Sequence, residues 1–506
     1  MKKILLSSSF AFFCLFSFNL MANQSNSIIY YCESHSLNAW DEDTILACRG
    51  SFYPAVLNSL LYLDNNVELR PLSLESFDWD FKNKYYKLKL KENLYFHNNR
   101  KVTSKDLEFS ILRHLFAKYP NTGNTMQINL KGSEKIRHGQ EYKSGLVEGL
   151  KILDERTVAI VPAKLNPYFL YSLSHFSFSL VPMEELNSDL LTWKKWPVGS
   201  GPYKIIEADY QKKIFYLSLI NKLQYPKAAH HIIYELNRIY EPDITLKDSI
   251  AANTPKYKQD ELLVPLYRRV IEFNYGNSLG ANKHFRRAVS LAMSRNEITK
   301  SVDIPVKPLY ELLTPGNIGR LNLKEDIQLT DSIESFKRVL GKNFMIKIFK
   351  IPYTEDSSYL GSKYRDVIKT QLKNAGLNIQ FIEVSKNIYN PFGSEFKDSP
   401  FYLLSTETDF FDPILNFAKY SKISPSINSH GNDKILETLL DETKEASSRD
   451  ILNERLKNIS RYFYDNRILV PLFEIPTVAY YNPFKISSIG NQFGGVIFYL
   501  QHLELN

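Results

Sequence analysis

Apolar and polar positions follow two periods along this chain. Tyr85–Leu90 alternates as a half-buried strand does, and Ile28–Tyr31 is a short β-branched and aromatic run of the same kind. Further strands are predicted at Thr157–Val161, Gly201–Glu207, Ile214–Leu219, His231–Glu235, Arg269–Asn274 and Leu377–Val384. Helical spacing runs over Phe52–Leu63, with Pro54 in its first turn, and over Phe285–Met293. After an Asn98-Asn99 turn, Thr103 is placed to cap a helix with Asp106 in its first turn and Leu107, Ile111, Leu112 and Leu115 on one face. Lys363–Ala375 is a helix that stops at Gly376, and Asp433–Glu445 and Asp450–Asp465 form a helix pair. Strands and helices mix without strict alternation, and no internal repeat is present. A large mixed α/β (α+β) protein with lobes packed on one another is expected.

The first residues bear on the compartment. Lys2-Lys3 is a short basic start, Ile4–Leu20 is an apolar run, and Leu20-Met21-Ala22 offers cleavage before Asn23. That order is the secretory signal pattern. The alternative is an uncleaved anchor, since about 17 apolar residues can just span a bilayer. No small residue precedes Cys14, so a lipid-anchored form is disfavoured and a free periplasmic protein is expected. Removal of residues 1–22 leaves 484 of the 506 residues, too many for one core; two or three lobes are expected.

The hydrophobic fraction of 44%, with 13% aromatic residues, is that of a globular protein. The net charge of +8 is spread along the chain with acids among the bases, and no basic block or helix face is available to track phosphates. Nucleic acid is therefore not an expected partner. Cys14 leaves with the signal, so Cys32 and Cys48 remain; in an oxidising compartment they either pair in a disulfide or stay as two buried thiols. Their spacing fits neither a CxxC redox site nor zinc. The sequence lacks GxSxG, HExxH, GxxxxGK[ST] and GxGxxG, so an enzyme is not expected. His230 and His231 would point to opposite faces of a strand, and His97 reads as a packed histidine; no metal site and no cofactor are expected.

Several of these stretches resemble, in order, the extracellular solute-binding proteins of family 5, the dipeptide/oligopeptide/nickel type. Tyr86–His97 followed by Thr103–Ser110 is similar to that family's strand, turn and capped helix, and Pro197–Tyr203 (Pro-Val-Gly-Ser-Gly-Pro-Tyr) to its most recognisable motif. Ile271–Asn274 with Phe285–Arg295 resembles the strand and helix that enter the second lobe; Val470–Phe473 with Thr477–Tyr480 resembles the return strand. The resemblance implies a two-lobed periplasmic binding protein fold with a discontinuous first lobe. Its expected boundaries are signal peptide 1–22, first lobe with an inserted subdomain 23–265, second lobe 266–477, and return to the first lobe 478–506. The hinge crossings are expected near Leu266–Ile271 and Leu472–Val478. The implied function is capture of a peptide-like solute for an ABC importer, by a monomer whose partners are the solute and the permease and ATPase subunits at the membrane. The rivals are a sensory or scaffold module uncoupled from transport, a carrier of a metal chelate or sugar, and an exported hydrolase on the same fold.

The resemblance also nominates the solute contacts. Thr406–Pro413 is similar to the family stretch that runs from Trp through Asp to Asp-Pro, which makes Asp409 the match for the Asp that takes a peptide's α-amino group. A carboxylate in a closed cleft suits an ammonium through a charge-assisted hydrogen bond. Phe410 follows it, and Thr406 stands where the family has Trp. Tyr353–Gly361 contains no Arg for a dipeptide carboxylate and has Glu355 and Asp356 instead. A longer peptide held by backbone hydrogen bonds needs no such clamp. Ser34 and His35, in the segment the family places at the cleft edge, and Tyr275 complete the candidates.

Overall fold

The structure, a computed structural model, describes residues 26–32, 49–64, 68–80, 82–119, 128–163, 169–246, 249–262, 267–324, 327–354, 360–384, 397–407, 413–421, 433–443, 445–446, 448–492 and 497–506. Of these, one compact unit gathers 26–163, Phe169–Glu261 and Val478–Asn506, and a second gathers Leu262–Thr477. The first unit contains β1 (Ser27–Tyr31), α1 (Arg49–Val56), β2 (Leu74–Asp80), β3 (Tyr85–Leu90), α2 (Ser104–Phe116), β4 (Leu150–Ile152) and β5 (Thr157–Ile160). It continues with β6 (Tyr203–Asp209), β7 (Ile214–Leu219), β8 (His231–Glu235), β9 (Ile244–Leu246) and β10 (Lys258–Glu261). The second unit runs from β11 (Tyr267–Phe273) through α3 (Lys283–Leu291), β12 (Lys307–Pro308), α4 (Leu329–Leu340), β13 (Ile348–Thr354) and α5 (Lys363–Asn374). It closes with β14 (Asn378–Val384), β15 (Phe401–Glu407), α6 (Leu415–Ala418), α7 (Lys434–Thr443), α8 (Arg449–Asn466) and β16 (Leu469–Ile475), and β17 (Val478–Tyr481) returns to the first unit.

In the first unit a seven-stranded sheet has the order β10-β17-β9-β1-β8-β7-β6, and β1 lies parallel to both β8 and β9. A four-stranded antiparallel sheet, β2-β3-β5-β4, stands beside α2 in the chain. α2 departs from the one-faced helix read from its spacing. Glu108, Arg113 and His114 on it are buried along with its leucines. Glu108 accepts from Gly145 N at 2.8 Å and from the Ser144 hydroxyl, Arg113 donates to Ser177 O at 3.0 Å and Leu190 O at 3.2 Å, and His114 Nε2 lies 3.0 Å from Ser177 O. Burial of such groups is tolerated only with partners of this kind.

The run Phe52–Leu63 is not one helix. α1 stops at Val56, and Leu61–Leu63 is a strand paired with Leu69–Pro71. In a continued helix Val56 O would accept from Leu60 N; here it accepts from Gly201 N at 3.0 Å. The glycines of the Gly-Ser-Gly-Pro-Tyr turn make that approach possible. A Cβ on Gly199 would lie 2.3 Å from Val56 O, and one on Gly201 2.6 Å from Ala55 O. Both serve close backbone approach, and neither has positive φ.

The second unit is built on a six-stranded sheet, β12-β16-β11-β15-β13-β14. One face packs Ile271 and Phe273 of β11, with Leu403 of β15, against Phe285, Val289, Phe336, Ile368 and Leu372 of three helices. α3 starts where Asn282 Oδ1 accepts from His284 N (2.9 Å) and Phe285 N (3.3 Å). α5 ends before Gly376, whose φ of +99° needs a residue without a side chain.

Candidate functional site

The topology of the second unit collects three strand ends at one edge. β13 runs parallel to β14 over its whole length and parallel to β15 at Tyr353↔Leu403, so Thr354, Val384 and Glu407 close the carboxyl ends together. Antiparallel β11 brings its beginning to the same edge, with Tyr267 opposite Glu407 and Arg268 opposite Thr406. In open sheets of this kind ligands bind outside the carboxyl ends of the strands. The stretch that leaves β15 there carries Asp409 and Phe410, which lie outside the described residues.

The flanks of that stretch are described, and they meet a buried arginine. Arg268 is 0% exposed. Its Nε donates to Thr406 Oγ1 at 2.9 Å, and its Nη1 to Leu312 O at 2.7 Å and Asn416 Oδ1 at 3.4 Å. Thr406 precedes the stretch and Asn416, on α6, follows it. Burial pushes the Arg268 guanidinium down to about 10, against the pull of Tyr420 and Glu272. Glu272, also buried, accepts from Tyr420 OH at 2.7 Å, and burial raises its carboxyl. Residues 268 and 272 project from the same face of the strand. Arg269 projects from the other, donates to Ser405 Oγ at 3.0 Å, and has its guanidinium carbon 5.8 Å from the Tyr364 ring centre. Arg365 lies 4.3 Å over the ring of Tyr353, near the end of β13. The absence of arginine from Tyr353–Gly361 therefore does not leave this edge without guanidinium groups.

Tyr275 is placed elsewhere. It follows the far end of β11, roughly 20 Å from the edge at the usual rise per residue. Its hydroxyl donates to Ile468 O at 3.1 Å, and its ring lies 4.8 Å beneath the Arg286 guanidinium. The structure thus does not bring Tyr275 together with Thr406.

The first unit has an edge of the same type. Parallel β1, β8 and β9 end at Tyr31, Glu235 and Leu246. The chain continuing from β1 carries Ser34 and His35, which, like Cys48, lie outside the described residues. Cys32 is disulfide-bonded, and its partner lies outside the described residues. Glu235 is wholly buried at this edge; its Oε2 accepts from Tyr240 N (3.2 Å) and Ile239 N (3.3 Å), and burial pushes its carboxyl up to about 7.

His97 is structural. Its N donates to Gly199 O at 2.8 Å, its Nε2 lies 3.0 Å from Gly201 O, and burial pushes the imidazole down to about 4. Among the described residues no three His, Cys, Asp or Glu side chains are grouped to hold a metal ion. No helix of the described residues is long and apolar enough to cross a membrane.

Arg268, Glu272, Asn416 and Tyr420 were not among the candidates read from sequence. The available signal was two adjacent arginines inside a run, Tyr267–Phe273, that is otherwise mostly apolar.

Known proteins share this architecture. Residues 68–217 match the model described as bacterial extracellular solute-binding proteins, family 5 middle. The dipeptide-binding protein DppE of Bacillus subtilis is 22% identical over 454 residues, covering 81% of this chain and 81% of its own. The ABC transporter substrate-binding protein CtaP of Listeria monocytogenes superposes with a TM-score of 0.75 at 17% identity, over 95% of this chain and 99% of its own. NikA of Brucella suis, solved with Fe(III)-EDTA, gives 0.76 at 14% identity over 95% and 100%.

Proposed function

We propose that this chain, which belongs to the family 5 extracellular solute-binding proteins, captures a peptide-like solute and delivers it to an ABC permease and its ATPase. It is a binding subunit, not an enzyme. We assign it to the periplasm as a free monomer, after cleavage before Asn23, with no nucleic-acid partner.

The observation that carries the solute assignment is the edge where β13, β14 and β15 end, from which the Asp409 stretch departs. An aspartate carboxylate suits a peptide's α-ammonium through a charge-assisted hydrogen bond, which is stronger than one between neutral groups. Phe410, Ser34 and His35 are assigned as further solute contacts on the family resemblance alone. Thr406 acts through its bond to Arg268. The two units continue into each other at 261/262 and 477/478, which we take as the lobe boundaries.

Native mass spectrometry on the mature protein purified from its host, followed by mild denaturation, identifies what it carries. A ladder of short peptides is the expected result. A metal chelate, a sugar or another single compound would keep the binding-protein reading and overturn the peptide one.

A further inference from the structure

The geometry points to Arg268 as the positioning residue of the solute stretch: a buried guanidinium that pins the chain on both sides of 407–415 without touching solute. This rests on the reading above that the stretch contacts solute.

Three features of the described residues support it. First, the anchors straddle the stretch: Thr406 Oγ1 lies on one side and Asn416 Oδ1 on the other, both bonded to the same side chain. Second, the side chain is fixed from a third direction, since its Nη1 donates at 2.7 Å to Leu312 O, far away in sequence. Third, the chain just past α6 is held again, where Tyr420 donates to Glu272, four residues after Arg268 on the same strand. One rigid strand therefore holds the incoming strand and the outgoing helix.

The chemistry requires arginine. A planar fork with five N–H donors can reach a hydroxyl, an amide oxygen and a carbonyl at once, whereas a lysine ammonium is a single point. Such anchoring matters for affinity because a contact residue whose backbone is already placed loses less freedom on binding. With Arg268 wholly buried, its influence on solute passes through the stretch it anchors.

The test uses the full mature protein and, as probe, the solute mixture released from the host-purified protein and titrated back onto stripped protein. Arg268→Lys keeps the charge and removes the fork; Thr406→Val removes one anchor with little change of volume and serves if the first variant folds poorly. Both are expected to weaken rebinding, Arg268→Lys by about tenfold or more and Thr406→Val by less. In an Asp409→Ala background, Arg268→Lys should weaken rebinding by no more than about twofold, because the group it positions is gone. Unchanged rebinding with a lowered melting temperature would overturn the assignment as merely structural, and so would effects that multiply in the double variant. Should Asp409→Ala alone leave rebinding unchanged, the amino-anchor reading falls. The positioning claim is then decided by Arg268→Lys and Thr406→Val alone: parallel weakening supports it, and unchanged rebinding overturns it.

Discussion

Tyr420 donates a 2.7 Å hydrogen bond to Oε1 of Glu272, joining the chain just past α6 to the middle strand of the second unit. Both side chains are wholly or almost wholly buried. Burial is the main reason the Glu272 carboxyl is raised, and the bond to Tyr420 works in the opposite direction. The phenol is packed edge-on to Phe463 of α8, with ring centres 5.4 Å apart, so it cannot swing away without losing that contact.

Tyr420→Phe keeps the ring and removes the donor. It should destabilise the protein by about 1–3 kcal/mol, the cost of leaving a buried acceptor unmet. Urea denaturation of variant and parent checks this, and a difference below about 0.5 kcal/mol would mean the bond contributes nothing net.

Glu235 gives a pH dependence with a definite sign. Its carboxyl moves from an ordinary 4.5 to about 7 on folding, because burial disfavours the charged form. Between those values the folded state holds more protons than the unfolded state, so stability falls as pH rises. The contribution is fully present below about 4.5 and lost above about 7; it amounts to roughly 2 kcal/mol once solvent screening is allowed for. Glu235→Gln should lack this component. The stability difference between variant and parent, measured from pH 4 to pH 8, is expected to shift in favour of the variant across that window, and a flat difference would contradict it.

The strands with clean alternation were legible in the sequence, and so were the helices with strong caps. Tyr85–Leu90, His231–Glu235 and Ile214–Leu219 form as read, and Lys363–Asn374 stops one residue short of the expected Ala375. β13 escaped because Pro352, which lacks a backbone donor, reads against a strand. The split after Val56 escaped because its cause is Gly201, more than a hundred residues away in the chain. The same holds for the network around Arg268, which joins residues 268, 312, 406 and 416. Asp409, by contrast, was reached through likeness to a family motif, and periodicity alone carries no trace of it. Local pattern fixes elements; contacts between distant segments fix what those elements hold.

The Gly201 approach makes its own prediction. Gly201→Ala would place a methyl within 2.7 Å of three backbone atoms of Ala55 and Val56. Backbone cannot move aside as a flexible side chain can, so a loss of about 2–3 kcal/mol is expected. Gly145→Ala is the control: its φ is +82°, yet nothing lies within 4 Å. That variant should cost only the conformational strain, about 1 kcal/mol. Thermal and chemical denaturation would rank the two, and equal losses would remove close packing as the role of Gly201.

The disulfide at Cys32 completes the set. Cys32 follows directly after β1, and its backbone N donates to Glu235 O at 2.9 Å, so one end of the bridge is already part of the central sheet. If Cys48 is the other end, as expected from sequence, the closed loop is short and stabilises by roughly 3 kcal/mol in the chain-entropy model. Reduction with dithiothreitol and the Cys48→Ser substitution should then lower stability by the same amount, and reduction should have no further effect on the variant. A Cys48→Ser protein that still loses stability on reduction would assign the bridge to Cys14 of an uncleaved chain or to Cys32 of a second copy.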